Sequence, residues 1–287
     1  MACGMPELPG RPANGLREVG QFAYTLLFER PVRGSEFGRK WVSAVIRIER
    51  LAGTGGASMR EVMKGEIAGL TCFFHSLPEG GLYTPPVSER ASRVFFFVEG
   101  RGSIECGDRS HTVTEIALFA PGHQAASAIR ASGPLSFLEL SIDLAPADVA
   151  WAAEQKVKPP YFAAYSDCKT YREAIKSEKT VSRTLLPANI IPRFCAGSVQ
   201  TSGPDRVAAH RHGMLEQLFF GLPENDCVVQ ADEASCPFGG SVLLHIPLGS
   251  EHSVRVAPGK PLHYIWIDLF RINDFSWITQ NHLENKP

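Results

Sequence analysis

Nowhere in the 287-residue chain does an apolar run approach the roughly 20 residues that cross a bilayer, so no membrane association is expected. A basic excess is also missing: 29 Lys and Arg face 30 Asp and Glu, a formal net charge of −1. Phosphate binding draws on surplus positive charge, so nucleic acid is not an expected partner. No CxxC pair occurs among the seven cysteines, at 3, 72, 106, 168, 195, 227 and 236. An odd, scattered set argues for reduced thiols in a cytoplasm rather than a disulfide framework. Most read as small buried hydrophobes, as with Cys72 inside the apolar run 70–74. Residues 1–17 are rich in Gly and Pro and lack the apolar centre of a signal peptide, which again points to the cytoplasm.

What the chain does have is 44% hydrophobic residues, enough for a sizeable core. Short alternating or apolar runs, separated by Gly, Pro, Asn and Asp, fill 40–144 and again 185–270. Runs at 94–98, 116–119, 135–140, 242–246 and 262–269 are examples. Their length and spacing are strand signals of an all-β sandwich or barrel. Residues 145–184 differ in texture. Pro146 suits the first turn of a helix over 147–155, and Ser166-Asp167 suits the N-cap of a second helix over 168–179. The expected division is an N-terminal arm and lead-in (1–39, with 10–17 mobile), a β module (40–144), a helical connector (145–184), a second β module (185–270) and a tail (271–287).

The two β segments resemble each other. ALFAPG at 117–122 followed by SGPLSF at 132–137 parallels LHIPLG at 244–249 followed by GKPLHY at 259–264. One offset of 127 aligns Gly122 with Gly249, Pro134 with Pro261 and Leu135 with Leu262. The shared order of apolar, Pro/Gly and apolar runs argues for two copies of one module, each with its own core.

The chemistry concentrates at 209–220, AHRHGMLEQLFF. His210 and His212 are two apart, so on a strand they share a face. Glu216 has the same parity, whereas Gln217 needs a bulge to join them. Leu218 and Phe220 continue the even face, and Phe220 is the best aromatic candidate for the interior; Phe219, Tyr264 and Trp266 read as wall or core. Arg211 alternates outward. A Pro247-Leu248-Gly249 turn then delivers His252. Three neutral imidazoles and a carboxylate suit one divalent transition metal ion, Fe, Mn, Ni, Co, Cu or Zn, rather than Ca or Mg. Up to two octahedral positions remain open for a substrate.

HRHGMLE (210–216) and PLGSEH (247–252) resemble the two halves of the cupin signature, HxH(x)3–4E and PxG(x)2H, and the repeat makes the whole chain resemble a bicupin. The resemblance implies a mainly β fold of two cupin-type jelly-roll β-barrels with a short helical connector, and metal ligands His210, His212, Glu216 and His252. A bicupin mimics a cupin dimer internally, so monomer and homodimer are both compatible. Counting back from Gly100 puts Arg93 in the place of Glu216, and Val87 and Glu89 in the places of His210 and His212; the 127 offset puts Ala125 at His252. The first barrel is therefore expected to be degenerate and metal-free, with Arg93 and Glu89 in a structural ion pair or on a solvated surface, or else forming an anion-binding or polar pocket. His123 reads as a loop residue.

His245, His263 and Glu251 are the candidate catalytic residues near the second site, as acid–base groups or partners of a ligand. Taken singly, each histidine reads more readily as a core histidine with its hydrogen bonds satisfied, and Glu251 as an exposed loop carboxylate. Three functions compete. One is a metal-dependent enzyme acting on a small oxygen-rich metabolite, a sugar acid or keto acid, by isomerisation, lyase, decarboxylation or hydrolysis chemistry. Another is an Fe, Ni or Cu dioxygenase. The last is a non-catalytic metal- or ligand-binding protein. The enzyme is favoured, because an intact ligand set in one copy beside a lost set in the other suits one working site. Its partner would be a small-molecule substrate.

Overall fold

The computed structural model describes residues 46–51 and 56–274, together with the backbone at 17–18 and 23–25. The arm before residue 17 and the tail beyond 274 lie outside the described residues. The chain opens with β1 (Arg17–Glu18), β2 (Ala23–Thr25) and β3 (Arg47–Arg50). Next come β4 (Ser58–Val62), β5 (Leu70–Leu77), β6 (Leu82–Tyr83), β7 (Ala91–Cys106), β8 (Arg109–Val113), β9 (Ala117–Ala120) and β10 (Ser127–Asp143). Helix α1 (Pro146–Glu154) and β11 (Tyr161–Ala164) lead through a 3-10 turn at Tyr165–Asp167 to β12 (Thr170–Tyr171) and β13 (Val181–Ile191). The remainder is β14 (Phe194–Ser202), β15 (Asp205–His210), β16 (Leu215–Gly221), β17 (Asp226–Ala231), β18 (Ala234–Gly239), β19 (Val242–Ile246), β20 (His252–Val256) and β21 (Pro261–Phe270).

These strands form three sheets. The first runs β11-β9-β7-β10-β5-β4, with β6 added to β10 and β8 to β7. The second runs β1-β2-β3-β19-β16-β21-β14-β13-β12, and the third β15-β20-β17-β18. Strand β3 falls in the sequence segment 40–144 yet pairs with β19 in the second sheet.

The apolar runs are long because the central strands are buried on both faces. On β21, Leu262, Tyr264, Trp266 and Phe270 pack between the second and third sheets, while Ile265, Ile267 and Leu269 pack against the first sheet. Strand β16 divides likewise, with Leu215 and Phe219 on one side and Leu218 and Phe220 on the other. In the first sheet, Phe95, Phe97, Leu135 and Phe137 fill an inner core, and Val94, Phe96, Leu138 and Leu140 face the second sheet. Each fully buried side chain of this size contributes about 1.5–3 kcal/mol. Three cores result, one inside each β unit and one between them. Phe220 belongs to the core between units, not to the interior of the second as parity had suggested.

Helix α1 forms where expected. Pro146 occupies its first turn, and the Asp148 carboxylate accepts the Ala145 N–H at 2.8 Å. The second helix, over 168–179, does not form. Ser166 does not cap it, because its N–H and hydroxyl donate to Glu115 at 3.1 and 2.6 Å. Thr170-Tyr171 pairs with β13, and Ile175 O accepts the Ala208 N–H at 2.8 Å. Pairing with two strand edges thus outweighs a weak local helix preference. The same pairing brings Lys176 alongside Val207 of β15.

Candidate metal centre

His210 ends β15 and stands opposite His252, the first residue of β20. The chain then leaves the strand over 211–214 and resumes as β16. His212 rides on this break, and its carbonyl accepts the Gly249 N–H at 3.0 Å. Gly249 has φ +76, a left-handed turn suited to glycine, and its turn closes through Ser250 N–H to Pro247 O at 3.1 Å. Loop and turn are thereby tied together, and the three imidazoles converge. Their ring centroids are 4.9, 4.2 and 5.2 Å apart for 210–212, 210–252 and 212–252. One nitrogen from each lies within 4.8 Å of the others, close enough to share a metal ion.

The rings are held in the form a metal requires. Burial, and then the neighbouring His210, push His252 down to about 3, and burial lowers His210 as well. Both are therefore neutral at pH 7. His210 Nδ1 lies 2.8 Å from Ala208 O and His252 Nδ1 3.2 Å from Ser250 O. A carbonyl only accepts, so each Nδ1 carries the hydrogen and each Nε2 keeps its lone pair. His252 Nε2 is buried with no hydrogen-bond partner.

Glu216, expected as the fourth donor, lies on the opposite face of the sheet. Its carboxylate is 3.2 Å from His245 Nε2 and 3.5 Å from Arg271. The parity count fails because 211–214 is not strand, and the break shifts the inward face to odd positions. Gln217 instead lines the cavity with the three histidines. Its Nε2 donates to Asp268 Oδ1 at 2.7 Å, and its Oε1 is buried without a partner. Three imidazoles and an orphaned amide oxygen make a donor set that fits a transition metal ion.

The cavity measures about 40 Å³. Asp268, Lys176 and Glu173 also line it. Burial raises Asp268 to about 7, against the lowering effect of Gln217 and Lys176. Burial lowers Lys176 to about 7, against the raising effect of Asp268. Lys176 Nζ also contacts the Glu173 carboxylate, and it donates to Ser182 Oγ at 3.1 Å. Sequence reasoning missed these groups. Asp268 carried a signal as the lone charge in the apolar run of β21, in phase with Leu262, Tyr264 and Trp266. Lys176 was hidden inside the expected helix.

The candidate catalytic residues lie elsewhere. His245 alternates away from Leu244 and Ile246 and bonds Glu216 and Glu66, the latter at 2.9 Å. His263 alternates away from Leu262 and Tyr264, contacts Glu224 through Nδ1 and meets Tyr165 Oη at 2.8 Å. Both are on the far face of the second sheet. Glu251 is exposed and pairs with the outward Arg211 at 3.1 Å.

The first unit repeats the site's frame with different contents. The 127 offset carries Ser141 to Asp268; Ser141 stands opposite Arg93, as Asp268 stands opposite Gln217. Arg93 thus occupies the position of Gln217. Its Nε donates to Glu139 Oε1 at 3.0 Å, while Tyr83 Oη and His75 Nε2 each lie 2.7 Å from Glu139 Oε2. Val87 and Glu89 are both exposed, and Ala125 packs on the inner core. Arg93 therefore forms a structural ion pair, with Glu139 rather than Glu89.

No family model matches the chain, and no curated protein matches it. Solved structures do. An IolB-like protein from Salmonella typhimurium is similar over 83% of this chain and 96% of its own, at 12% identity and TM-score 0.64. A cupin 2 conserved barrel domain protein from Leptotrichia buccalis matches over 77% and 91%, at 13% identity and TM-score 0.51. A mutant of Bacillus subtilis oxalate decarboxylase matches over 86% and 81%, at 12% identity and TM-score 0.61. The chain has the cupin fold, as its two motif halves implied. No helix among the described residues is long and apolar enough to cross a membrane.

Proposed function

We propose that the chain is a metal-dependent bicupin enzyme acting on a small oxygen-rich acid. The observation that carries this reading is the convergence of His210, His212, His252 and the orphaned Gln217 Oε1 on one buried cavity. A divalent transition metal bound there supplies a Lewis acid that polarises a substrate oxygen. His210 and His252 hold it with lone pairs fixed by their backbone hydrogen bonds. Lys176, Glu173 and Asp268 share the cavity, and a doubly charged ion outweighs the single negative charge they carry between them, which suits an anionic substrate. Apolar walls from Val207, Phe219, Val254 and Trp266 limit water around the reacting atoms. The six described cysteines are all free, which supports a reducing cytoplasm.

Metal analysis of the protein as isolated, followed by a turnover screen over short carboxylic acids, tests the reading. Wild type is expected to carry about one transition metal ion per chain, and His210→Ala/His252→Ala close to none, with turnover lost in parallel. Equal metal in both proteins overturns it.

A further inference from the structure

Gln217 is held by one hydrogen bond that decides what it presents to the cavity. The register of β16 and β21 sets it directly opposite Asp268, which is 3% exposed. The carboxamide Nε2 donates to Asp268 Oδ1 at 2.7 Å, and Oε1 is left buried with no partner. A carboxamide has two unlike ends, one a donor and one an acceptor. Asp268 Oδ1 accepts from the NH2 end, which leaves the carboxamide oxygen for the cavity that His210, His212 and His252 line. With an amide or an apolar residue at 268, nothing would prevent the carboxamide from turning its NH2, useless as a metal donor, toward the imidazoles.

We propose that Asp268 is a positioning residue that fixes Gln217 with its carbonyl oxygen toward an ion held by the three histidines. The proposal rests on the metal reading above. It also accounts for a glutamine at 217 in place of a carboxylate: two buried carboxyl groups 2.7 Å apart could not both ionise, whereas a carboxamide supplies both the donor to Asp268 and the oxygen to the ion.

The test is a cycle of isosteric variants of the full chain, stripped of metal and titrated with Co(II), with affinity read from equilibrium dialysis and coordination from the visible spectrum. In the wild-type background, Asp268→Asn is expected to weaken Co(II) binding about tenfold or more, because the new carboxamide at 268 donates to Gln217 Oε1 and turns it away. In the Gln217→Glu background, Asp268→Asn is expected to strengthen binding, because a carboxylate at 217 has no wrong end and a neutral amide at 268 relieves the repulsion. This double variant restores one carboxylate facing one carboxamide and serves as the folding control. Should Asp268→Asn alone lose its near-ultraviolet circular dichroism, the two proteins that carry Gln217→Glu still decide. Tighter binding once Asp268→Asn is added supports the proposal, and weaker binding overturns it. The same loss in both backgrounds, or none in wild type, overturns the positioning role alone. Wild type that binds no Co(II) overturns the metal reading and this inference together.

Discussion

Substituting Gln217 by Ala removes an oxygen from the cavity that holds the three imidazoles, while Glu216→Gln alters only the opposite face of the sheet. Gln217→Ala is expected to weaken metal binding by about 10–100-fold, and Glu216→Gln to leave it within about twofold of wild type. Competition against a metal-binding dye checks both, and the reverse order would show that Glu216 swings inward when an ion binds. The histidines were legible because their spacing and the Pro-Gly turn survive as local pattern. The fourth donor was not. Counting by twos assumes unbroken strand from 210 to 216, and the structure breaks it at 211–214. Gly213 is the one local mark of that break, too weak a signal to shift a parity by itself. Asp268 and Lys176 depend on which strands pair, and pairing is settled by the whole sheet.

At the scale of elements, the far face of the second sheet gains a charged clasp. His245 of β19 sits between Glu216 of β16 and Glu66, which lies between β4 and β5. Arg47 of β3 adds a bond to Glu66 at 3.1 Å, and Arg271 closes on Glu216. Burial alone would lower His245, but the hydrogen bonds its ring donates to Glu216 and Glu66 outweigh it and raise the ring above its ordinary 6.5. The hydrogen bond to His245 lowers both Glu66 and Glu216 below 4.5. A raised histidine stabilises the fold fully below 6.5 and loses that contribution as pH climbs through its folded value. A lowered carboxylate stabilises it above 4.5 and loses that contribution as pH falls through its folded value. The clasp is thus strongest between about 4.5 and 6.5. Melting curves of wild type and His245→Gln should differ most in that window and converge at alkaline pH; a constant difference across the whole alkaline range would refute it. The element pattern itself was readable in the sequence as continuous apolar runs, but not which face each residue took. Strands β16, β19 and β21 are apolar on both sides, so alternation carries no sign of direction.

The molecule as a whole places one frame twice and fills it differently. Where Gln217 faces the histidine cavity, Arg93 faces Glu139, and Tyr83 and His75 complete the carboxylate's shell. A guanidinium is a permanent cation built into the chain, so the first unit carries its own positive charge where the second has a set of neutral donors. Burial would raise Glu139, but the hydrogen bonds from His75 and Tyr83 and the charges of His75 and Arg93 prevail and hold it below its ordinary range. Removing the cation leaves that buried charge to two partners. Arg93→Met is expected to destabilise the protein by about 3 kcal/mol, the low end for breaking a buried pair, because His75 and Tyr83 remain. The core shared by the two units, with Phe96 and Leu138 against Phe220 and Ile265, should make that loss appear in a single unfolding transition. Metal content should stay at the wild-type level, since Arg93 lies in the other unit. Chemical denaturation followed by tryptophan fluorescence, with metal analysis of the same sample, measures both. A variant of wild-type stability would show that Arg93 is a spectator, and one that takes up a second metal ion would show that the guanidinium had been blocking a latent site.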